Sequence, residues 1–513
     1  MSVTIRPTRR TRGALAVFTI DQFNPQAKEP LLKKLDMHSR KTKIIATLGP
    51  VSSSPEMIGK LMDAGVDIFR LNFSHGTNEQ KSEVILNIRA VSARKGREVG
   101  ILADLQGPKI RTGRMRNGAI QLLKGAAIDI VTEETLGTPE LISTIYKALP
   151  SDVKPGSRIL MDDGLIELKV QSVEGGRVHC TVVEGGVLKD LKGINLPGVD
   201  VSAPSLSDKD RRDLEFCLGQ PVDFIALSFV RRAEDVVGVK NLIYERGLDI
   251  PVVAKIEKPE ALRNFDSILR VSDAVMVARG DLGVEVSPEK VPLAQKRIIR
   301  ACNEAGKPVI TATQMLESMI SHSRPTRAET SDVANAILDG TDAVMLSGET
   351  ASGQYPLEAV RIMDKVACDV ERYAQIEGMP RQQPSPSIAE AVAAAACQAA
   401  TTLKAKAFAV LTQTGSSAAR VSKFRSPLPI IAFTKSTETM RRLSIFWGVR
   451  AFPIGEMSGT YEQIRFVEAR LLAAGFKKGD VVVVTMGVPV EARGSTNLMR
   501  VHKLGTGQFY EIF

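Results

Sequence analysis

Residues 251–281, PVVAKIEKPEALRNFDSILRVSDAVMVARGD, contain one complete strand–helix–strand unit. Two apolar runs, 251–257 and 273–278, are predicted strands, and the segment 259–271 between them has apolar residues at helical spacing. A helix between two strands can carry the chain back to the end at which the first strand began, and the second strand then runs parallel to the first. This stretch therefore predicts an α/β domain with a parallel sheet.

The same unit recurs on both sides of this stretch. Eight strands that are each followed by a helix are the number that closes a (β/α)8 TIM barrel, and that is the predicted fold. Ser54 before Pro55, and Ser207 before Asp208, are predicted helix caps. The predicted strands are 42–48, 66–73, 99–105, 222–229, 251–257, 273–278, 308–313 and 341–346, and the clearest helices are 54–64, 234–246, 259–271, 293–305 and 327–338.

Residues 109–203 interrupt this pattern between the third and fourth strands. They are rich in glycine turns, and their short apolar runs are typical of β structure. We predict an all-β lid domain, 109–203, inserted into a barrel domain that comprises 41–108 and 204–380. The predicted lid strands are 119–123, 127–131, 158–161, 165–170 and 178–183.

A third domain, 381–513, is predicted after the barrel. Residues 381–387 are rich in proline, glutamine and serine and are predicted to be a linker. Strand and helix patterns then alternate, which indicates an open α/β sheet. The predicted elements are 388–403, 407–412, 416–424, 429–433, 437–447, 461–474, 481–485 and 498–501.

The charge excess is concentrated at the N-terminus. The chain carries 68 basic and 58 acidic residues, and residues 1–40 hold half of the net charge of +10. This basic tail is predicted to be flexible; an organelle transit peptide is the alternative. Because the chain has one Trp and no basic stripe interleaved with aromatic residues, nucleic-acid binding is not expected.

Two further properties bear on the compartment. No apolar run reaches the roughly 18 residues of a membrane helix, so no membrane attachment is expected. The five cysteines are far apart and form no CxxC pair. That spacing favours a reducing compartment, and we expect a cytoplasmic protein.

Polar residues gather where the predicted barrel strands end, which is where barrel enzymes carry their catalytic groups. Lys255 and Glu257 are two residues apart on one strand, so both side chains point the same way. Asp281 follows the next strand, and the two carboxylates suit Mg²⁺, which takes its other ligands from water and an oxyanionic substrate. Arg70 adds positive charge. The cluster is typical of a site that holds and polarises a phosphorylated substrate.

Seven motifs make the chain resemble the pyruvate kinase family from about residue 40 to the C-terminus. The resemblance implies phosphoryl transfer from phosphoenolpyruvate to ADP, giving pyruvate and ATP in glycolysis, with Mg²⁺ or Mn²⁺ as cofactor. The motifs are RLNFSHG (70–76), GPKIRTG (107–113), KGINLPG (192–198), KIEKPE (255–260), ARGDLGVE (278–285), ATQMLESM (312–319) and LSGETA (346–351).

The resemblance also implies roles for single residues. Arg70 and Lys255 would contact the transferring phosphoryl group, and Lys255 would stabilise the enolate that remains. The backbone at Gly280 and Asp281 would receive the substrate carboxylate. Thr313 would lie near the carbon that is protonated, with the proton donor left open between water and a relay through this threonine.

The nucleotide and metal sites follow from the same resemblance. Asn72, Arg111 and Lys192 would bind the nucleotide, and Glu257 and Asp281 would hold the first Mg²⁺. The inserted domain would close over the site as a lid, which excludes water and limits hydrolysis.

The sequence departs from potassium-dependent members of the family, which have an acidic residue after the Gly-Pro pair. Here Lys109 stands at that position. An ammonium beside Asp104 would supply the charge of K⁺ and repel a second cation, which predicts activity without K⁺. The alternative is that Lys109 points to solvent at the lid hinge. The family's K⁺ positions are Asn72, Ser74, Asp104 and the carbonyl of Leu105.

A loop of the third domain is a candidate effector site, because hydroxyls and backbone N–H groups precede a predicted helix there. The alternative is an ordinary helix cap. The family binds phosphorylated effectors in this loop, and the Trp–Arg pair of members regulated by fructose bisphosphate is absent near 461–474. We therefore expect a monophosphorylated sugar or nucleotide, and the resemblance implies a homotetramer. The loop residues are Thr412, Thr414, Gly415, Ser416 and Ser417.

Two other classes remain as alternatives. One is a barrel lyase that handles enolates with Mg²⁺, such as a phosphoenolpyruvate mutase or an aldolase-type enzyme, which would need no nucleotide-binding lid. The other is a regulatory or RNA-binding relative with an inactive site, against which the intact Lys255, Glu257 and Asp281 argue.

Overall fold

The computed structural model describes residues 40–199, 201–202, 204–377, 382–457, 459–488 and 496–506. The predicted basic tail lies outside these residues except for Arg40. In the described part of the chain, no helix is both long enough and apolar enough to cross a membrane.

Eight parallel strands close into a barrel, as predicted. The first strand pairs with the eighth through Lys43 and Ala343, and the third pairs with the fourth across the lid insertion through Leu102 and Phe224. All eight strands are fully buried or nearly so, because side chains fill the interior and helices cover the outside. The strands are Lys43–Leu48, Ile68–Asn72, Gly100–Asp104, Phe224–Leu227, Val252–Ile256, Ala274–Ala278, Val309–Ala312 and Ala343–Leu346.

The barrel helices begin and end close to the predicted bounds. Ser54 accepts a hydrogen bond from the Met57 N–H at 3.2 Å, and Ser207 caps its helix through Asp210, so both predicted caps are confirmed. The predicted helix 259–271 is two helices, because Asn264 leaves helical geometry and donates to the Arg231 carbonyl. The helices are Pro55–Ala64, Asn78–Lys95, Asp208–Leu218, Ala233–Glu245, Pro259–Arg263, Phe265–Val271, Arg279–Glu285, Val291–Ala305, Arg327–Leu338, Gly348–Ala351 and Pro356–Glu377.

A partly buried charge cluster joins distant parts of the chain where the first barrel strand begins. Asp67 lies 2.9 Å from Arg40 and 3.2 Å from Arg97, and it accepts a hydrogen bond from the Ile44 N–H at 3.0 Å. Burial alone would raise the pKa of Asp67, but Arg40 and the other cations outweigh it and hold that pKa well below its ordinary value. The folded state therefore stabilises the ionised carboxylate.

The inserted segment folds as an all-β lid around its own apolar core. A six-stranded sheet and a two-stranded sheet form it, and the five predicted strands are all present. Three short strands and the helix Leu149–Asp152 were not predicted, because runs of two to four residues carry little periodicity. The lid strands are Ala119–Leu122, Ala127–Val131, Leu141–Ser143, Arg158–Met161, Ile166–Glu174, Arg177–Glu184, Gly186–Lys189 and Ile194–Asn195.

The third domain is an open sheet of five strands, in which only the last strand is antiparallel to its neighbour. The predicted helix 437–447 is too long: it ends at Arg442, and the unpredicted strand Val449–Pro453 follows the turn at Gly448, where φ is +71°. In sheet order, the strands are Val449–Pro453, Ile430–Thr434, Ala407–Leu411, Val481–Met486 and Leu498–Lys503, and the helices are Ile388–Thr402, Ser416–Lys423, Thr437–Arg442 and Thr460–Ala473.

The barrel and the third domain share a buried ion pair. Nη1 and Nη2 of Arg425 donate to Asp342, at 2.8 and 2.9 Å, and the guanidinium carbon lies 5.3 Å from the centre of the Trp447 ring. Asp342 directly precedes the eighth barrel strand, so this pair fixes the third domain against the barrel.

Candidate active site

The predicted catalytic residues meet where the barrel strands end. Arg70 comes from the second strand, Asp104 from the third and Lys255 from the fifth. Asp104 is 1% exposed, and its carboxylate lies 2.7 Å from Arg70 Nε and 3.2 Å from Lys255 Nζ. Arg70 also donates to Thr47 Oγ1 at 3.0 Å. Two cations are thus fixed side by side by one buried carboxylate.

Lys255 is held in its charged form. Its ammonium donates to Ser228 Oγ at 2.6 Å and lies 2.9 Å from Glu257 Oε1. Burial, the largest single effect, would lower the pKa of Lys255, but the carboxylates of Asp104 and then Glu257 raise it above its ordinary value. The side chain is therefore a fixed positive charge rather than a base.

Glu257 has one oxygen in place and one without a hydrogen bond. Its Oε2 accepts from the Phe229 N–H at 2.8 Å. Its Oε1 is buried and lies near the Lys255 ammonium, but it accepts no hydrogen bond from the described residues. Burial raises the pKa of Glu257; Lys255 opposes this effect and the nearby Asp281 carboxylate adds to it. A divalent cation bound by Glu257 and Asp281 would lower this pKa again, because it would stabilise the buried carboxylate and offset the repulsion between the two carboxylates.

The sixth and seventh strands end in a linked turn. The Gly280 N–H donates to Thr313 Oγ1 at 2.7 Å, and Arg279 donates to the Thr313 carbonyl at 2.8 Å. These contacts hold Thr313 at φ +65°, a conformation that a threonine rarely adopts. Asp281 lies in the first turn of the helix that follows, at the mouth of the barrel.

The two predicted phosphate-binding residues of the lid are neighbours. Arg111 pairs with Gly193 in an isolated antiparallel bridge and donates to the Leu191 carbonyl at 3.0 Å. Lys192 lies 2.7 Å from Asp162, a lid carboxylate that sequence reasoning did not identify. Both cations thus lie where the lid chain enters and leaves the barrel.

The predicted pairing of Lys109 with Asp104 is wrong for this structure. The two cations paired with Asp104 are Arg70 and Lys255, and among the described residues no ion pair joins Lys109 to it. Lys109 lies in the hinge, where the Ile194 N–H donates to the Ile110 carbonyl, and its Cε is 3.4 Å from the position that a Cβ of Gly193 would take. Its side chain therefore extends along the returning lid segment instead of towards the carboxylate.

Two of the other family K⁺ positions, Asn72 and Leu105, already accept hydrogen bonds within the protein. Asn72 Oδ1 accepts from the Ser74 N–H at 3.0 Å, and the Leu105 carbonyl accepts from Ser228 Oγ at 2.8 Å. Ser228 and Phe229 are contacts that sequence reasoning missed, although they are the last two residues of the predicted strand 222–229; they directly follow the observed strand Phe224–Leu227.

The candidate effector loop has the geometry of a helix start. Thr412 Oγ1 accepts from the Gly415 N–H at 2.9 Å, and Gly415 has φ +88°. Ser417 is buried against Thr496, at 2.6 Å between the hydroxyl oxygens. Thr414 and Ser416 are 3.3 Å apart and are the two loop hydroxyls farther out.

Nearly the whole chain matches known proteins of one family, in sequence and in structure. Residues 39–360 match the family model described as pyruvate kinase, barrel domain, and residues 390–502 match that of the pyruvate kinase alpha/beta domain. A pyruvate kinase of Geobacillus stearothermophilus is 48% identical over 470 residues, which cover 90% of this chain and 80% of that protein. A pyruvate kinase of Mycobacterium tuberculosis is 47% identical over 472 residues, which cover 91% and 99%. A crystal structure of a pyruvate kinase from Cryptosporidium parvum superposes with a TM-score of 0.83 at 40% identity, covering 90% of this chain and 96% of that one.

Proposed function

This chain belongs to the pyruvate kinase family, the phosphotransferases that convert phosphoenolpyruvate to pyruvate in glycolysis, and on that premise we propose which of its residues carry the reaction. The observation that supports the assignment is the buried cluster of Arg70, Asp104, Lys255 and Glu257, in which two cations are held in position before any substrate arrives.

Arg70 and Lys255 hold the transferring phosphoryl group. A loose phosphoryl transition state asks for positioning and charge neutralisation rather than a covalent nucleophile. Both cations are fixed by Asp104, so they need no reorganisation when charge moves from the phosphoryl group to the enolate oxygen. Lys255 then stabilises the enolate, since its raised pKa keeps it protonated.

Glu257 and Asp281 are the proposed ligands of Mg²⁺ or Mn²⁺. The family generally uses Mg²⁺, and the buried Glu257 oxygen without a hydrogen bond fits a cation at this position. Mg²⁺ is commonly bound by one or two carboxylates, with the other ligands from water and substrate phosphate. When bound, the ion supplies charge neutralisation to the substrate oxyanions.

The substrate carboxylate is proposed to lie over the backbone of Gly280 and Asp281. The Gly280 N–H already donates to Thr313, so the first turn of this helix offers the remaining donors. Thr313 lies beside them and its hydroxyl donates to the Ala312 carbonyl at 2.6 Å. It is proposed to line the face on which the enolate carbon is protonated.

Asn72, Arg111 and Lys192 are the proposed nucleotide contacts. Arg111 and Lys192 come from the two paired hinge segments, so one movement of the lid carries both towards the phosphates. Closing the lid excludes water and favours transfer over hydrolysis. The proposed domains are the barrel at 41–108 and 204–380, the lid at 109–203 and the C-terminal domain at 381–513, after a tail at 1–40.

We propose that activity does not require K⁺, on revised grounds. Asp104 is already neutralised by Arg70 and Lys255, and the Leu105 carbonyl already has a hydrogen-bond partner. Lys109 adds a positive charge at the hinge where related enzymes have a negative one. These features together weaken the site for a monovalent cation.

The loop of Thr412, Thr414, Gly415, Ser416 and Ser417 is the proposed site of a phosphorylated sugar or nucleotide effector. Its two outward hydroxyls and the N-terminus of the helix Ser416–Lys423 are suitable donors for a phosphate group. A homotetramer in the cytoplasm is the proposed setting, as in the family.

A coupled assay of pyruvate formation tests these proposals. Pyruvate should form from phosphoenolpyruvate only when both ADP and Mg²⁺ are present, and ATP should form in equal amount. Pyruvate release without ADP would instead indicate a lyase or phosphatase reaction.

A further inference from the structure

Glu285 joins the metal-binding helix to the lid. It is the last residue of the helix Arg279–Glu285, four residues after Asp281, and its side chain is 1% exposed. Its Oε1 accepts from Lys258 Nζ at 2.5 Å and from Asn195 Nδ2 at 2.8 Å. Lys258 belongs to the barrel, whereas Asn195 belongs to the lid strand Ile194–Asn195. One buried carboxylate oxygen therefore receives a donor from each domain.

The three residues of this contact are tied to the reacting groups by the chain itself. Lys258 directly follows Glu257, and Asn195 lies three residues after Lys192. The three residues are therefore close in sequence to the proposed Mg²⁺ ligands Glu257 and Asp281 and to Lys192, a proposed nucleotide contact.

The other side of the hinge rests on the same cluster. Lys258 Nζ lies 5.5 Å from the centre of the Phe229 ring, and the Phe229 N–H donates to Glu257. That ring packs against the outgoing hinge so closely that a Cβ on Gly107 would lie 2.6 Å from Phe229 Cδ2. Both segments that connect the lid to the barrel therefore contact one barrel cluster.

Little space remains between the lid and the barrel here. A cavity of about 30 Å³ lies under the hinge and is lined by Asn195, Phe229, Lys258 and Asp281 among others. This is room for about two water molecules.

We propose that Asn195, Glu285 and Lys258 form a latch, a set of positioning residues that holds the lid segment 192–195 in register with the Mg²⁺ carboxylates and so sets the affinity for ADP. The proposal rests on the proposed role of Lys192 at the nucleotide phosphates. The latch does not touch the nucleotide. It fixes the position of the lid segment that carries Lys192 relative to the barrel. A displacement of the Lys192 ammonium by about 1 Å is enough to weaken its charge-assisted contact with the nucleotide.

The test first removes the hydrogen-bond donor that the lid presents to Glu285 and then restores the hydrogen bond with donor and acceptor exchanged. Asn195→Asp keeps the shape of the side chain but sets a carboxylate against Glu285, which opens the latch. We expect the dissociation constant of ADP, measured by calorimetry with Mg²⁺ and without phosphoenolpyruvate, to rise about tenfold, which corresponds to about 1.4 kcal/mol. The KM for ADP should rise with it, while the KM for phosphoenolpyruvate and Mn²⁺ binding followed by electron paramagnetic resonance stay within twofold.

The double variant N195D/E285Q supplies the rescue. It moves the carboxylate to the lid and the amide to the barrel, so the hydrogen bond is restored and Lys258 keeps a negative partner. ADP affinity should return to within about threefold of the wild type. Gln171→Ala is the matched control, because Gln171 makes a lid-internal hydrogen bond to Thr181 and should leave ADP affinity unchanged.

Three outcomes would overturn the latch. They are an unchanged ADP affinity in N195D, an equal rise in both KM values, and a double variant as weak as N195D. If N195D does not fold, Asn195→Leu removes the donor without adding charge and should show the same selective loss of ADP affinity. A wild type that forms no pyruvate from phosphoenolpyruvate and ADP would instead contradict the proposed function, independently of these variants.

Discussion

Replacing Lys255 by methionine tests the centre of the proposed mechanism. The ammonium interacts with Ser228, Glu257 and Asp104 at 2.6, 2.9 and 3.2 Å, and the side chain is 10% exposed. Loss of one preorganised donor to a developing charge typically lowers kcat by about 10²–10³, or about 2.7–4 kcal/mol. We expect a fall in kcat of that size for Lys255→Met, with a smaller change in the KM for ADP.

The same substitution also costs stability, and the two effects must be separated. Removing one partner of a buried ion pair typically destabilises a protein by about 3–5 kcal/mol. The total free energy of unfolding is usually about 5–15 kcal/mol, so this loss can be borne without unfolding the protein. The variant should therefore fold with a lower Tm. Its binding of Mn²⁺ in the absence of substrate should be retained, because Glu257 and Asp281 are unchanged.

Lys240→Met is the matched control for Lys255→Met. Lys240 pairs with Asp273 at 2.8 Å on the outside of the barrel, and both side chains are 37% exposed, so its loss should cost less than about 1 kcal/mol and leave kcat unchanged. Turnover of Lys255→Met within about threefold of the wild type, in the coupled assay at saturating substrates, would refute the role assigned to Lys255.

Further predictions concern metal, pH, effector and monovalent cation. Glu257→Gln should raise the Mn²⁺ dissociation constant at least tenfold, because it removes a ligand charge; unchanged binding would place the metal elsewhere. Asp67→Asn should lower the free energy of unfolding by about 2–3 kcal/mol at pH 7. Since the pKa of Asp67 is lowered by folding, its contribution is complete above the unfolded value of about 3.9 and is lost gradually as the pH falls from there towards the folded pKa. The gap between the two proteins in denaturant titrations should therefore narrow from about pH 5 to about pH 3 without closing; a gap that widens there would contradict the sign. Glu at Thr414 and Ser416 together should abolish activation by sugar or nucleotide monophosphates and spare basal activity, whereas persistent activation would leave the loop as a helix cap. Initial rates in sodium buffer should not rise on adding K⁺, because Arg70 and Lys255 already pair with Asp104; a severalfold rise in the wild type would contradict K⁺ independence.

The barrel was predictable because its strands are long apolar runs separated by helical patterns. The carboxyl ends of parallel strands meet at one face, so Arg70, Lys255 and Glu257 could be placed together before their distances were known. The proximity of Asp281 to Glu257 was predictable for the same reason, since Asp281 lies three residues after the end of the neighbouring strand.

The contacts that were missed act through features that a sequence does not display. Phe229 contributes a backbone N–H and a ring, neither of which suggests chemistry in a sequence. Asn195 and Glu285 are separated by 90 positions and meet only because the lid returns to the barrel. Lys109 was assigned to Asp104 because it replaces the acidic residue that follows the Gly-Pro pair in potassium-dependent members of the family, but its side chain lies along the returning lid segment.

The lid insertion also constrains the order in which this chain can fold. The third barrel strand pairs with the fourth through Leu102 and Phe224, and the first pairs with the eighth through Lys43 and Ala343. At typical synthesis rates of about 5–20 residues per second, the strand Gly100–Asp104 waits roughly 6–24 seconds on the ribosome for its partner. Its open edge is a template for pairing with other chains during that time. The lid has its own apolar core and can fold first, which brings its two hinge segments together. The flexible loop between the third and fourth barrel strands is then shorter, so their pairing costs less entropy. Substitutions that weaken the lid core should therefore reduce the yield of folded enzyme in cells more than the turnover of each molecule that is recovered.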